Sequence, residues 1–294
     1  MSRTAITGWA FAAPGLVTLA MVMGFPLVYA VILAVSSYTL MRPRLLPFVG
    51  LDNFRSVMAD EYFWNAFWLT LKYSGATVIG EFVLGLGVAV MLNQVVRFKA
   101  VYFAILTIPM AMSPVAVGLI WHMLLQPNLG IANELLRSWG LAGIDWLGSS
   151  TLGFWTVVLV DIWQQVSFVI LILAAGLASL PKEPYEAARV DGATDLQQFW
   201  YLTLPLIRPV AAIAIIIQLI NEFRTYDLVY VLTKGGPGIS TELLSYFAYK
   251  KAFLGLSTNE GAATSFALLG MVLALTIVFF RMVAAGPEVA TKAK

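Results

Sequence analysis

Six runs of mainly apolar residues, each about 20 residues or longer, divide this chain, and they constrain its fold more than any other feature. They lie near 9–37, 67–92, 100–124, 152–178, 210–232 and 262–283. A helix needs about 20 apolar residues to cross a hydrocarbon core of roughly 30 Å. Strands of a membrane barrel would be about 10 residues long and would alternate apolar with polar side chains. Run length therefore decides what periodicity inside a continuous apolar run cannot. The expected fold is all-α, a polytopic membrane bundle of six transmembrane helices forming one domain over 1–294. A composition of 60% hydrophobic and 12% charged residues, with mean hydropathy +0.83, agrees.

Composition also narrows the chemistry. The chain has no cysteine and one histidine, His122, so disulfides, thiolate metal sites and HExxH zinc sites are excluded and no metal site is expected. No GxxxxGK[ST] phosphate loop occurs, so ATP is not expected to bind here in that manner. The net charge of +2 is spread along the sequence and supplies no tract for nucleic acid. Six spans put both termini on one side. If that side is the cytoplasm, the inner segments hold nine Lys and Arg, including Lys292 and Lys294, and the outer loops seven, including Arg42 and Arg44. The imbalance is small and favours cytoplasmic termini.

The first run follows Arg3, is too long for a signal-peptide core and reads as a retained helix with a kink at Pro26. After it, GLDNF (Gly50 to Phe54) and RSVMADEYFWNAFW read as a short interfacial helix. In the second run, Ala76/Gly80 and Gly85/Ala89 lie four apart, a pattern for close helix approach, while Lys72 lies where it can snorkel. Pro109 and Pro114 should bend the third run, and His122 falls near its outer end. The following loop has an amphipathic stretch, Ile131 to Trp139, with Asn128 as its expected N-terminal cap. In the fourth run, Asp161, Gln164, Gln165 and Phe168 share a helical face; in the fifth, Gln218, Asn221, Glu222 and Thr225 do. Such faces should point into the bundle. Arg224 and Asp227, three apart, could pair.

Between those two runs lies a polar interruption, SLPKEPYEAARVDGATDLQQFWYLTLPLIRP, from Ser179 to Pro209. Pro181 and Pro184 suit a helix start, Lys182 to Val190 reads as a short helix, and Gly192 ends it by tolerating positive φ. Thr194 and Gln197 form a capping box for a second helix to about Leu202, which Pro205 and Pro209 are expected to break before the fifth span.

Glu186-Ala187-Ala188, three residues, Gly192, nine residues, then Leu202, Thr203, Leu204 and Pro205 resemble the EAA loop of binding-protein-dependent ABC importer permeases, EAA-x3-G-x9-I-x-LP. Leu202 in place of isoleucine is the only departure. LPKEPYEAARVDGA and FRTYDLVYVLTKGGPG resemble the carbohydrate branch, in particular the class of the first membrane subunit of maltose-type permeases in six-helix form. GLDNF, VGLIWHMLLQPNLGIAN and DWLG extend the likeness over nearly the whole chain. The resemblance implies a coupling helix that docks in a cytoplasmic ATPase. It assigns that role to Glu186, Ala187, Ala188, Asp191, Gly192, Ala193, Leu204 and Pro205, with no catalytic residue. It also implies a bacterial or archaeal plasma membrane location, the inner membrane of a Gram-negative cell. The implied assembly has a second homologous permease, two ATPase copies that bind ATP and magnesium, and an extracytoplasmic solute-binding protein. This chain itself is expected to hold no cofactor.

A sugar pathway would need hydrogen-bonding groups and aromatic faces. The candidates are Asp161, Trp163, Gln164 and Gln165 on the fourth span, Asn221, Glu222 and Arg224 on the fifth, and Tyr226 and Asp227 nearer the outside. The alternative is an ion-coupled secondary transporter, which would use broken-helix pairs in matching halves. The sequence does not display such a pair. An embedded enzyme lacks the paired groups it would need.

Overall fold

A computed structural model describes residues 3–41, 47–94 and 97–284. Arg42, Arg44, Val95 and Val96 of the inner turn, and the tail from Gly286 with Lys292 and Lys294 lie outside the described residues. Helix dominates, and the β pairing among the described residues is a single antiparallel bridge between Ser36 and Phe48. The all-α membrane bundle is therefore the observed fold.

In chain order the helices are α1 (Arg3–Leu19), α2 (Phe25–Ala34), α3 (Asp52–Ala59), α4 (Glu61–Gln94), α5 (Lys99–Ala111), α6 (Pro114–Leu124) and α7 (Ile131–Ser138). Then come α8 (Ser150–Ala178), α9 (Glu183–Val190), α10 (Asp195–Gln198), α11 (Leu204–Phe223), α12 (Asp227–Leu232), α13 (Leu244–Tyr249) and α14 (Thr258–Ala284). Five continuous helical stretches are long and apolar enough to cross a membrane: Phe11–Ala34, Glu61–Gln94, Ser150–Ala178, Asp195–Phe223 and Thr258–Met282. The sixth expected span is α5 with α6, bent by 92°.

Two prolines lie within continuing helices. Pro26 and Pro205 each follow a π-helical turn, Ala20–Gly24 and Phe199–Thr203, and the helix continues through both. A π-turn shifts the bonding register from i→i−4 to i→i−5, which absorbs the missing N–H and the ring's clash with the preceding turn. Pro205 and Pro209 therefore do not separate the coupling loop from the fifth span. That span instead ends at Phe223, short of the expected 232, and the chain turns before α12. The aromatic segment Tyr62 to Trp68 likewise belongs to the first turns of α4; α3 alone is the short helix.

The chain forms two compact units. One contains the described residues up to Trp64 together with Phe247–Leu269. Its hub is Asn53 of the GLDNF segment, which is buried and donates to the carbonyls of Ala34 and Ser36, both at 2.8 Å, while its Oδ1 accepts from Asn259 at 2.8 Å. Nearby, the Lys251 ammonium binds Asp60 at 2.8 Å and Glu260 at 3.1 Å, and Ser56 donates to Glu260 at 2.9 Å. Burial works against both charges. The hydrogen bonds and field of Lys251 outweigh it and lower the Asp60 pKa, and the two carboxylates outweigh it and raise that of Lys251.

The other unit, Asn65–Tyr246 with the residues from Gly270, is organised around α8, whose most apolar window is 61% buried. Ser149 caps this helix by accepting from the Leu152 N–H at 3.1 Å. Glycines set how closely its neighbours approach. A Cβ on Gly85 of α4 would stand 2.8 Å from Val169 Cγ1, one on Gly80 2.5 Å from Ile162 Cδ1, and one on Gly176 2.8 Å from Val210 Cγ1. Leu86, Ala89, Val169, Leu173, Leu177 and Ile207 form the core between α4, α8 and α11.

Two predictions follow from this packing. Gly85→Val should destabilise the bundle by about 1–3 kcal/mol, read as a lower thermal unfolding midpoint, and Val169→Ala should restore part of it. A variant as stable as the parent would show that the approach is not tight. The Lys251 tie should persist between two limits. The depressed Asp60 contributes above its unfolded pKa of about 3.9 and loses that as pH falls through its folded value. The raised Lys251 contributes below about 10.4 and loses that as pH rises through its folded value. Lys251→Met should speed hydrogen exchange around 247–260 at neutral pH, corresponding to about 1 kcal/mol, and should add little once the pH has fallen past the lowered pKa of Asp60.

Candidate functional site

The interruption between α8 and α11 forms the helix-turn-helix read from the sequence. Gly192 has φ +82°, and Thr194 and Gln197 complete the capping box, with the Gln197 N–H on Thr194 Oγ1 at 3.3 Å and the Thr194 N–H on Gln197 Oε1 at 2.8 Å. The Tyr185 hydroxyl bonds Thr203 Oγ1 at 3.1 Å and ties α9 to the π-turn that opens the next helix. Pro184, Tyr185 and Ala188 are the half-buried positions of α9. Glu183, Ala187 and Val190 face away from the bundle, and Val190 is 88% exposed. Beside this face is a cleft of about 550 Å³ whose lining includes Asn93, Lys182, Glu186, Arg189, Gln198 and Thr203. Asp191 and Gly192 are exposed, Ala193 is half-buried, and Leu204 and Pro205 are half-buried at the start of α11.

Two breaks interrupt the interior helices. The first lies at Met112 and Ser113, between α5 and α6; Pro114 opens α6, where a missing N–H is harmless. The second covers Arg224, Thr225 and Tyr226, between α11 and α12. The two outer pieces pack together: a Cβ on Gly118 of α6 would stand 3.0 Å from Val231 Cβ of α12, and His122 Nδ1 donates to the Leu232 carbonyl at 3.1 Å. The bend expected of Pro109 and Pro114 in the third run falls at the first break, whereas the second, at Arg224, was not expected.

The candidate pathway residues separate into two groups. Asp161, Gln164 and Glu222 are enclosed. Asp161 accepts from the Tyr73 hydroxyl, Gln164 Nε2 donates to the Met112 carbonyl at 3.1 Å, and Glu222 lies within electrostatic range of Asp161 and Glu81. Gln218 continues the network, donating to Glu81 at 2.7 Å and accepting from Asn221 at 3.2 Å. The second group is accessible in part or whole. It comprises Gln165, Asn221 and Tyr226, half-buried, and Trp163, Arg224 and Asp227, exposed. Trp163 packs edge-on against Trp121, with ring centroids 5.4 Å apart, and Tyr226 stacks on Tyr230 at 5.5 Å and Tyr246 at 6.1 Å. Arg224 and Asp227 form no ion pair with each other, because the helix that would have placed them on one face ends between them.

Sequence reasoning did not place Tyr73 in this interior, nor Glu81 in its polar network. Their signal was the spacing Tyr73, Thr77, Glu81, which repeats every four residues on α4. Lys72, expected to snorkel, is exposed and lies over the Phe154 ring at 4.6 Å.

Comparison with known proteins follows the same lines. A chain of the importer that takes up the acidic polysaccharide alginate in bacteria shares this fold. It has a TM-score of 0.84 and 22% identity, covering 96% of each chain. The trehalose/maltose transport system permease protein of Thermococcus litoralis is 36% identical over 80% of each chain. The sn-glycerol-3-phosphate transport system permease protein of Salmonella typhimurium is 34% identical, again over 80% of each, and the sulfoquinovosyl glycerol transport system permease protein of Agrobacterium fabrum is 31% identical over 92% of this chain and 88% of its own. Residues 81–285 match the profile of the binding-protein-dependent transport system inner membrane component family. The chain belongs to that family and is a transport component, not an enzyme.

Proposed function

We propose that this chain is a permease subunit of an ATP-driven importer for a polyhydroxylated solute, a sugar or sugar derivative, and that α9 is its coupling helix. The observation that carries this reading is the continuity of helix from the coupling loop to the interior break. Asp195–Phe223 is one helical rod, of about 43 Å at 1.5 Å per residue. Its near end adjoins α9 through the Gly192 turn. Its far end carries Gln218, Asn221 and Glu222 and stops at Arg224. A rigid-body displacement of α9 by an ATPase is thereby delivered to the break, where α12 and α6 move as a packed pair.

The exposed face of Ala187 and Val190 suits insertion into a partner cleft, since small and apolar side chains allow close contact. Glu186 lies at its edge, where it can meet a charged partner group. Asp191, Gly192 and Ala193 form the turn; Leu204 and Pro205 anchor the rod. The names of the relatives share a polyhydroxylated cargo, trehalose or maltose, glycerol phosphate and sulfoquinovosyl glycerol, which supports the substrate class. In the working assembly a second homologous permease supplies the other half of the pathway. Two ATPase copies bind ATP with magnesium, and an extracytoplasmic binding protein delivers the solute. With the bent α5–α6 pair as one span, α9 and both termini face the cytoplasm.

Within the interior, Gln165, Asn221, Trp163, Arg224, Tyr226 and Asp227 line the route. Asp161, Gln164 and Glu222 hold its walls, because their polar atoms are sealed within the chain. Irregular backbone inside a membrane belongs where it borders a wet cavity, and the two breaks fit that rule.

Val190→Asp should leave the bundle folded, since the side chain is exposed, yet reduce ATP-driven uptake at least about tenfold by placing an unpaired charge in the docking cleft. Gly192→Pro, which cannot take φ +82°, should do the same. Normal uptake by both variants, together with normal ATPase co-purification, would overturn the coupling assignment. For the pathway, Asp227→Ala and Tyr226→Ala should raise the KM of uptake several-fold at an unchanged amount of complex. Asp161→Ala should instead lower the amount of folded complex, and the opposite pattern would reverse the two groups.

A further inference from the structure

The connection from α6 to α8 is longer than a tight turn requires, and its polar groups are bonded internally. Asn133 is its hub: buried, it donates to the carbonyls of Pro127 at 3.0 Å and Ile144 at 2.8 Å. Its Oδ1 accepts from the Ile144 N–H and the Trp146 indole, both at 3.0 Å. Arg137 donates to the carbonyls of Pro127 at 2.9 Å and Asn128 at 3.2 Å. Asn128 thus takes part through its backbone, and the N-terminal cap expected of it falls to Gly130. Gly140, at φ +78°, closes α7 with the Leu141 N–H on the Leu136 carbonyl at 2.9 Å. A helix of two turns does not hold by itself in water. Here the bonds around Asn133 hold it.

What this platform presents outward is apolar. Ile131, Leu135 and Trp139, at i, i+4 and i+8, are 60%, 52% and 74% exposed. The ridge is flanked on one side by Glu134 and Ser138 and on the other by the half-buried Ala132 and Leu136. Leu129, 86% exposed, precedes it in the chain, and Leu119 and Met123 are exposed on α6, which meets the requirements for a membrane span only together with α5. Exposed apolar residues thus recur along the chain from a membrane-crossing segment into the ridge.

We propose that α7 is a membrane-surface anchor, with Ile131, Leu135 and Trp139 seated in the headgroup region of the leaflet from which the α6–α8 connection emerges. Three observations favour lipid over a protein partner. The ridge follows a membrane span directly in the chain. Its outward row has no charged residue, whereas docking surfaces that form and dissociate carry a polar rim. An amphipathic helix ending in tryptophan, with its charged groups to one side, has the form that lies in the interface plane. The anchor would fix the outer end of α6, and so the half of the broken span that packs on α12.

The absence of cysteine from the chain gives a direct test. Nitroxide labels are placed at Leu135→Cys and Glu134→Cys in the full complex, reconstituted in phosphatidylethanolamine/phosphatidylglycerol vesicles. Power saturation is then compared in oxygen and in a water-soluble nickel chelate, with the complex carrying the unsubstituted chain as background. The Leu135 label should be several-fold more accessible to oxygen than to nickel, and the Glu134 label should show the reverse. Equal nickel access at both positions would overturn the proposal. So would a Leu135 label that is exposed to nickel until the solute-binding protein is added, or one that couples magnetically to a second copy. Uptake by the labelled complex checks assembly. If Leu135→Cys fails to assemble, Ile131→Cys reads the same face.

Discussion

The hydrocarbon core supplies no hydrogen bonds, so each place where a helix of this chain breaks must have its freed backbone groups met by side chains. The interior is arranged around that requirement. Gln164 of α8 reaches the Met112 carbonyl at the first break, and Ser167, one turn on, donates to Leu106, ahead of Pro109. At the second break, Ser245 donates to the Thr225 carbonyl at 2.5 Å. His122 meets the Leu232 carbonyl at the end of α12. Remove these donors and the two kinks would lose the partners that permit them. Gln164, which looks like a pathway group in the sequence, is thus engaged by a backbone carbonyl of the first break.

These satisfied breaks give the bundle parts that can move as units. Gly80, Gly85 and Gly176 bring α4 and α11 close to α8, and at that distance a displacement of one helix cannot be absorbed by side chains alone. The helix from Asp195 to Phe223 is continuous over its whole length and ends at the break that begins with Arg224. Gly118 against Val231 makes α6 and α12 a second packed pair beyond the breaks. The chain thus combines one long continuous helix with two broken ones.

Much of this was legible in sequence. The capping box Thr194 to Gln197, the positive φ of Gly192 and the close-approach role of Gly80 and Gly85 are local properties, set by residue type and spacing, and each appears where expected. Proline was misread at Pro205. Its effect depends on whether the preceding turn can change register, and a π-turn leaves no mark in composition. The break at Arg224 was missed for the opposite reason: no proline or glycine occurs from Arg224 to Asp227, so nothing local announced it.

The sequence by itself determined the class of fold, the apolar runs from which the spans are built and the capped turn at Gly192, because hydrophobic length, capping and turn chemistry act over a few neighbouring residues. Tertiary structure alone decided which polar residues are sealed and which face open space. Asp161 and Gln165 lie on the same face of α8, yet one is bonded to Tyr73 and enclosed while the other remains half-exposed. That difference comes from α4, which lies about 90 residues away in the chain and is brought alongside α8 by glycine contacts. The partners of a buried polar group belong to other segments, so neither periodicity nor motif along one segment can name them.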